Sequence, residues 1–283
     1  MSATQLERFR DRGVVRVSGL LGADAVAEAR AFVRRGAGRM GVLGDEAWNF
    51  SQLDGLPDHK ANSRLTKTIG YSRSFAAVMN DGQALAERLA GAALTPMLDR
   101  PTLLASVPRP GPWALPHNVW HLDLPKAQNN RAVPGVQAFA MLEQLTPGGG
   151  GTVVLAGSHR LIPDDAWFSG KQLQRRLKRH EATADLWRPD AEDRERFLRE
   201  EAEVDGVPLQ VEELTGAPGD VYFVDMRVLH APAANRGQAP RLMLTHRWVS
   251  EAVHRTMTEA AEAYREQIAA GLKPRPRPTR AEA

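Results

Sequence analysis

His121 and Asp123 stand one residue apart, between the apolar residues Trp120 and Leu124. In extended backbone alternate side chains share a face, so this imidazole and this carboxylate present their ligand atoms on the same side. A second imidazole from a distant strand would complete three donors on one face of a divalent metal. That 2-His-1-carboxylate arrangement leaves the opposite coordination positions open and suits non-haem Fe(II). His230 competes with His159, His246 and His254 for the third place. The Pro218-Gly219-Asp220 turn launches an apolar run that ends near His230, and Pro232 soon prevents regular ladder pairing, so His230 is expected at a strand end where a ligand can turn inward. Alternation argues against His246: if Arg241 faces a cavity, so do Met243 and Thr245, whereas Leu242, Leu244 and His246 face the other way. His254 falls in a helix-like segment beyond the strands.

The elements that must position these groups are legible in outline. From Pro101 onward, short apolar runs are separated by Pro and Gly turns, the texture of antiparallel β-structure. The chain is read as mainly β with flanking helices, a double-stranded β-helix (jelly roll, cupin-like) with a cavity between its facing sheets. Ahead of it, Gln5 to Arg12 is expected to form a helix and Gly13 to Val17 a strand. Gly22 to Arg35 has helical spacing in Ala25, Val26, Ala29, Phe32 and Val33. Further helices are expected from Ser74 to Leu89 and after Ala92. Between Leu161 and Val207 the sequence turns charged and helical, with Trp167, Phe168 and Trp187 embedded in it. The organisation expected is a single domain over residues 1–270, with a lid-like insertion at about 161–207 and a disordered basic tail over 271–283.

Composition narrows the chemistry. The 283 residues contain no cysteine, which excludes disulfides, thiolate metal ligands and a cysteine nucleophile, so a metal here must use His, Asp or Glu. The formal charge of +3 and a pI near 9.4 do not point to nucleic acid, because basic and acidic residues are interspersed through most of the chain. The exception is the run from Lys273 to Arg280, where prolines block regular structure. No stretch approaches the 18 or so apolar residues of a membrane span and no signal-peptide pattern opens the chain, so a cytoplasmic protein is expected.

The order of the remaining motifs sharpens the reading. After the His-x-Asp pair come a strand-like run from Val136 to Leu145, the turn Pro147-Gly148-Gly149-Gly150-Gly151, the run Thr152 to Ala156 closing on Gly157-Ser158-His159, then Ala217-Pro218-Gly219-Asp220, His230, Asn235-Arg236 and Arg241. From about Gln5 to Val249 this series resembles the phytanoyl-CoA dioxygenase family of Fe(II)- and 2-oxoglutarate-dependent oxygenases. The resemblance implies His121, Asp123 and His230 as metal ligands, 2-oxoglutarate as co-substrate, dioxygen as oxidant and His159 as a structural element. Arg241 resembles the family residue that holds the distal carboxylate of 2-oxoglutarate, a task for which a planar guanidinium is suited; its other reading is an ion pair within the protein. Thr152 resembles the threonine that bonds the same carboxylate. Asn118 occupies the place where several relatives carry a glutamine that contacts the 2-oxo acid, and Pro232 replaces a small polar residue. Related halogenases lack the carboxylate of Asp123, so oxygen chemistry is implied.

Gln137, Phe139 and Met141 share a strand face and are expected to line the pocket. Trp113, His117, Trp120, Lys126 and Asn129 flank the metal motif as candidate substrate contacts, and Trp48, Asn49 and Arg64 are further candidates from the N-terminal half. The function implied is oxidation, by default hydroxylation, of a C–H bond in a small molecule, with a specialised metabolite as the candidate kind. Alternatives are acyl-CoA 2-hydroxylation, with Arg109 and Lys126 near the CoA phosphates, a catalytically silent jelly-roll binding protein, and another metal-binding cupin. Neither a nucleic-acid nor a membrane partner is expected, and oligomeric state is not legible in the sequence.

Overall fold

The computed structural model describes residues 1–44, 47–124, 131–164 and 168–270. Five helices carry the numbering before and around the sheets: α1 (Ala3–Arg12), α2 (Ala23–Arg39), α3 (Asp58–Ile69), α4 (Ala76–Ala90) and α5 (Gly170–Arg179), followed by a single turn α6 (Arg196–Arg199) and the C-terminal α7 (Glu251–Ala269). The strands are β1 (Val14–Val17), β2 (Leu43–Gly44), β3 (Ala47–Trp48), β4 (Thr95–Pro96), β5 (Thr102–Ser106), β6 (Gly135–Met141), β7 (Thr152–Ala156), β8 (Ala202–Val204), β9 (Val207–Glu213), β10 (Val221–Asp225), β11 (His230–Pro232) and β12 (Arg241–Val249).

Two facing antiparallel sheets form the jelly roll. The larger runs β1-β10-β6-β12-β4, with β5 also paired to β12, and the smaller runs β11-β7-β9-β8. Side-chain alternation sorts the strands into three cores. Ala138, Ala140, Phe223, Leu242, Leu244 and Trp248 point outward under the N-terminal helices, where they meet Val26, Val33, Leu65 and Phe75. Phe139, Met141, Val154, Ala156, Val224 and Met243 point inward between the sheets. Val153, Leu155 and Leu209 cover the opposite outer face, against Leu173, Leu177, Trp187 and Phe197 of the charged insertion.

Local chemistry explains the boundaries. Ser2 and Gln5 form a reciprocal capping box at the start of α1, and Gly13 ends it in the left-handed region at φ 71°. The helix expected after Ala92 is absent; Thr95–Pro96 is strand β4, and a proline there donates no backbone hydrogen bond for a helix to use. The sequence reading passed over α3, which buries Ala61, Leu65 and Ile69 at helical spacing. The insertion holds one regular helix, α5, followed by short turns, and closes in the hairpin β8–β9. Its tight connection is Asp205-Gly206, both at positive φ (52° and 74°), the geometry that Asp-Gly favours. The described part of the insertion packs on the outer face of the smaller sheet, and none of its residues lines the cavity described below. Trp167 and the tail lie outside the described residues.

Candidate metal centre

The mouth of the jelly roll is where His121 joins the smaller sheet. His121 and His230 exchange backbone hydrogen bonds, N to O at 2.9 and 3.1 Å, so the segment before Asp123 adds an edge to β11. This single bridge places two imidazoles side by side, with ring centroids 4.3 Å apart. The Nδ1 atoms of His121 and His230 lie 2.9 and 3.2 Å from the carbonyls of Val119 and Val228. A carbonyl only accepts, so each Nδ1 carries a proton and each Nε2 is the nitrogen left to face a metal. Asp123 completes the group: Oδ1 is 3.8 Å from Nε2 of His121 and Oδ2 is 3.5 Å from Nε2 of His230. One ligand atom from each residue lies within 4.8 Å of the others, which is spacing for one shared cation.

Behind the three donors lies a cavity lined by Leu104, His121, Gln137, Phe139, Thr152, His230, Pro232 and Arg241. The pleat accounts for the lining. His230 pairs with Val154 and Pro232 with Thr152, so all four face inward while Ala231 and Val153 face out. On β12, Arg241, Met243, Thr245 and Arg247 take the inward parity. Arg241 is buried, donates from one terminal nitrogen to the Gly150 carbonyl at 2.8 Å, and leaves Nε without a partner. Desolvation pulls its pKa down to about 10. Among the described residues no carboxylate lies against it, so the ion-pair reading of Arg241 finds no support. A buried, incompletely bonded cation facing a cavity fits an incoming carboxylate, and two imidazoles with one carboxylate fit a divalent iron.

The glycine-rich and Gly-Ser-His motifs are scaffolding for this centre. Glu213 accepts from the amides of Gly148 (3.0 Å) and Gly151 (3.2 Å), pinning the turn ahead of Thr152, and burial pushes its carboxyl pKa up. Gly150 has φ 82°, and a Cβ there would fall 2.7 Å from Cβ of Asn235. The Ser158 hydroxyl accepts from the Leu229 amide at 3.0 Å, fixing the backbone immediately before His230. His159 points elsewhere: its Nε2 lies 2.9 Å from the Arg10 carbonyl, and burial lowers its pKa. Asp220 clamps the Pro-Gly-Asp turn through Arg16 and the amides of Gly19 and Ala217, at 2.9 and 2.7 Å for the amides. His246 lies on the outward face of β12, edge-on to Trp248 at 4.7 Å, and His254 is in α7.

Several candidates are not brought to the cavity. Asn118 is exposed at a bend, away from the cavity lining, because the chain turns at His117-Asn118 before Trp120 enters the core. Trp120 is a core residue, its indole nitrogen donating to the Pro116 carbonyl at 2.8 Å and its ring 6.1 Å from that of Trp187. Trp113 and His117 are half-buried outside the lining, Trp48 stacks on Phe50, and Arg64 is exposed. Met141 is packed between the sheets without reaching the cavity surface. Lys126 and Asn129 lie outside the described residues. Two residues were missed. Leu104 is brought to the lining by β5, whose pairing with β12 sets Leu104 opposite Met243. Arg247 pairs with Asp123, and its inward parity followed from the same alternation that was applied to Arg241.

Taken together, a two-sheet jelly roll and an open-faced triad define a class, the non-haem iron enzymes that use 2-oxoglutarate as co-substrate. Within it, the chain belongs to the phytanoyl-CoA dioxygenase (PhyH) family, whose family model matches residues 9–243. No functionally curated protein matches the sequence. Among solved structures, AviO1 from Streptomyces viridochromogenes Tue57 is similar with a TM-score of 0.55 and 19% identity, over 89% of this chain and 96% of that one. The carbocyclase SnoK from nogalamycin biosynthesis is similar with a TM-score of 0.54 and 19% identity, over 88% and 84%. The epimerase SnoN, solved with Fe3+, alpha ketoglutarate and nogalamycin RO, gives 0.50 and 20%, over 87% and 82%. No helix among the described residues is long and apolar enough to cross a membrane.

Proposed function

We propose that this protein oxidises an unactivated C–H bond of a small organic molecule, with hydroxylation as the default outcome. The observation that carries the reading is that His121 and His230, two members of a three-donor group with Asp123, line one cavity with a buried, incompletely bonded Arg241. When bound, Fe(II) and 2-oxoglutarate would supply, from dioxygen, an oxidant strong enough for such a bond. His121, Asp123 and His230 would hold the metal, and Arg241, with Thr152 in the same lining, would take the distal carboxylate of 2-oxoglutarate. Leu104, Phe139 and Pro232 form the apolar wall that excludes water, and Phe139 stands 6.3 Å, ring centroid to ring centroid, from His230. Gln137, two residues from Phe139 on the same face of β6, adds a polar group to this lining.

A small-molecule substrate agrees with the cavity and with SnoN, whose structure holds nogalamycin RO. The same fold serves an epimerase and a carbocyclase, so hydroxylation rests on chemistry rather than on fold. The acyl-CoA alternative loses one of its anchors: the Arg109 guanidinium is tied to Asp54 and Asp58, at 3.2 and 3.3 Å, and to the carbonyls of Leu53 and Leu56. The silent-binding alternative expects a damaged triad or a missing arginine, and here the triad and Arg241 are both intact. The reading also carries a cytoplasmic setting, where 2-oxoglutarate is a common metabolite.

The test is 2-oxoglutarate turnover without a known substrate. Succinate should accumulate slowly when the protein is given Fe(II), ascorbate, air and 2-oxoglutarate, should not accumulate with His121→Ala, and should rise severalfold when a true substrate is added. Equal succinate from the parent and His121→Ala would contradict the reading.

A further inference from the structure

Arg247 lies six residues beyond Arg241 on β12, is 8% exposed, and donates to Oδ2 of Asp123. Neither Arg247 nor Asp123 is among the cavity-lining residues, so their contact lies off the cavity surface. Directly across the ladder its register partner is Gln137. In the orientation that satisfies all its neighbours, the Gln137 amide oxygen is 2.9 Å from Arg247 and 3.0 Å from Thr245 Oγ1, and its nitrogen is 3.2 Å from Oδ2 of Asp123. Gln137 and Thr245 are each 2% exposed. Donors from two adjacent strands therefore converge on one carboxylate oxygen.

Two effects of such an arginine on metal binding oppose each other. Its charge repels a cation, whereas its fork fixes the carboxylate. Asp123 sits in a bend just past the single bridge at His121, not in a ladder, so the backbone constrains it less than it does either histidine. The terminal torsion of an aspartate is broad, and the carboxylate plane must be set by side-chain contacts. Orientation therefore outweighs repulsion at a partly buried site of this kind, where groups that orient metal ligands are commonly worth about 10- to 100-fold in metal affinity.

We infer that Arg247, backed by Gln137 and Thr245, is the positioning group for Asp123, setting the carboxylate against the two imidazoles before any metal arrives. This rests on the proposed role of Asp123 as a ligand. The rival is a plain structural ion pair, which would support the fold and leave metal affinity untouched.

The test compares the parent with Arg247→Met, Arg247→Lys and Gln137→Leu. Each is titrated anaerobically with Co(II) alone, read by its visible d–d absorption and by competition with a chelator, and folding is checked by circular dichroism. Arg247→Met should bind Co(II) about 10- to 100-fold more weakly. Arg247→Lys should fall between it and the parent, because an ammonium keeps the charge and loses the planar fork. Gln137→Leu should weaken binding severalfold. The d–d band of each variant should shift as the ligand geometry relaxes. Arg247→Met that is folded and binds Co(II) within twofold of the parent, or more tightly, would overturn the inference. If Arg247→Met does not fold, parental affinity and band position in both other variants would overturn it equally. A parent that binds no Co(II) would overturn the ligand assignment as well, which separates failure of that reading from failure of this one.

Discussion

Arg241 holds a buried charge on one hydrogen bond to the Gly150 carbonyl, a cost that an entering carboxylate would relieve. Arg241→Met should therefore leave the ligand-free protein as stable as the parent or more so in thermal unfolding. The same change should weaken 2-oxoglutarate binding to the metal-loaded protein by about 100-fold, since two charge-assisted hydrogen bonds are worth roughly 3 kcal/mol. Scanning calorimetry of the two proteins measures the first half and calorimetric titration the second. His246 offers a second expectation at this scale. Burial holds its pKa at about 4, below the unfolded value near 6.5, so between these values the unfolded chain binds more protons and stability falls as pH falls. The full shift corresponds to roughly 3 kcal/mol. Urea unfolding at pH 7 and pH 4.5 should show this loss, and His246→Phe should show a smaller one. Residues with a distinctive type and a fixed spacing were the legible ones: His121, Asp123, His230 and Arg241 could be picked out before any fold was known. Trp113, His117 and Trp120 share their sequence neighbourhood and not their destination, because the bend at His117-Asn118 decides who meets the cavity.

Strand alternation carried the element scale. The parity argument that turned Arg241 inward and His246 outward holds along the whole of β12, and extending it two residues past Thr245 reaches Arg247. The jelly-roll pattern, α1, α2 and α4 were readable from periodicity and turn residues. α3 was not, because its three buried positions are diluted by nine exposed or half-buried ones in a polar stretch. The bridge from His121 to β11 was also hidden, since pairing between residues over a hundred positions apart depends on tertiary closure. Besides its pairing with β7 and the His121 bridge, the start of β11 is held by a single hydroxyl. Ser158→Ala would leave the buried Leu229 amide without its acceptor, at a cost of about 1–3 kcal/mol. Chemical denaturation should register that loss, and Co(II) affinity should fall severalfold because the backbone before His230 is released.

At the scale of the molecule, two sheets contribute donors to one centre: the smaller sheet and its added edge bring His121 and His230, while the larger brings Arg241, Gln137 and Arg247. Ligands that bridge the sheets should stabilise the whole jelly roll by mass action, about 2.7 kcal/mol at a hundredfold excess over Kd. A thermal scan with Co(II) and 2-oxoglutarate together should show a larger rise in Tm than with either alone. The central claim is that the triad and Arg241 bind one metal and one 2-oxo acid in the same cavity. Anaerobic titration of the metal-free protein with Fe(II) and 2-oxoglutarate, followed by the weak visible charge-transfer band of their chelate, tests it most directly. The band should appear with the parent protein, vanish with His121→Ala, and require far more 2-oxoglutarate with Arg241→Met. A folded, iron-loaded parent that gives no band, or a band that survives in His121→Ala, would contradict the account.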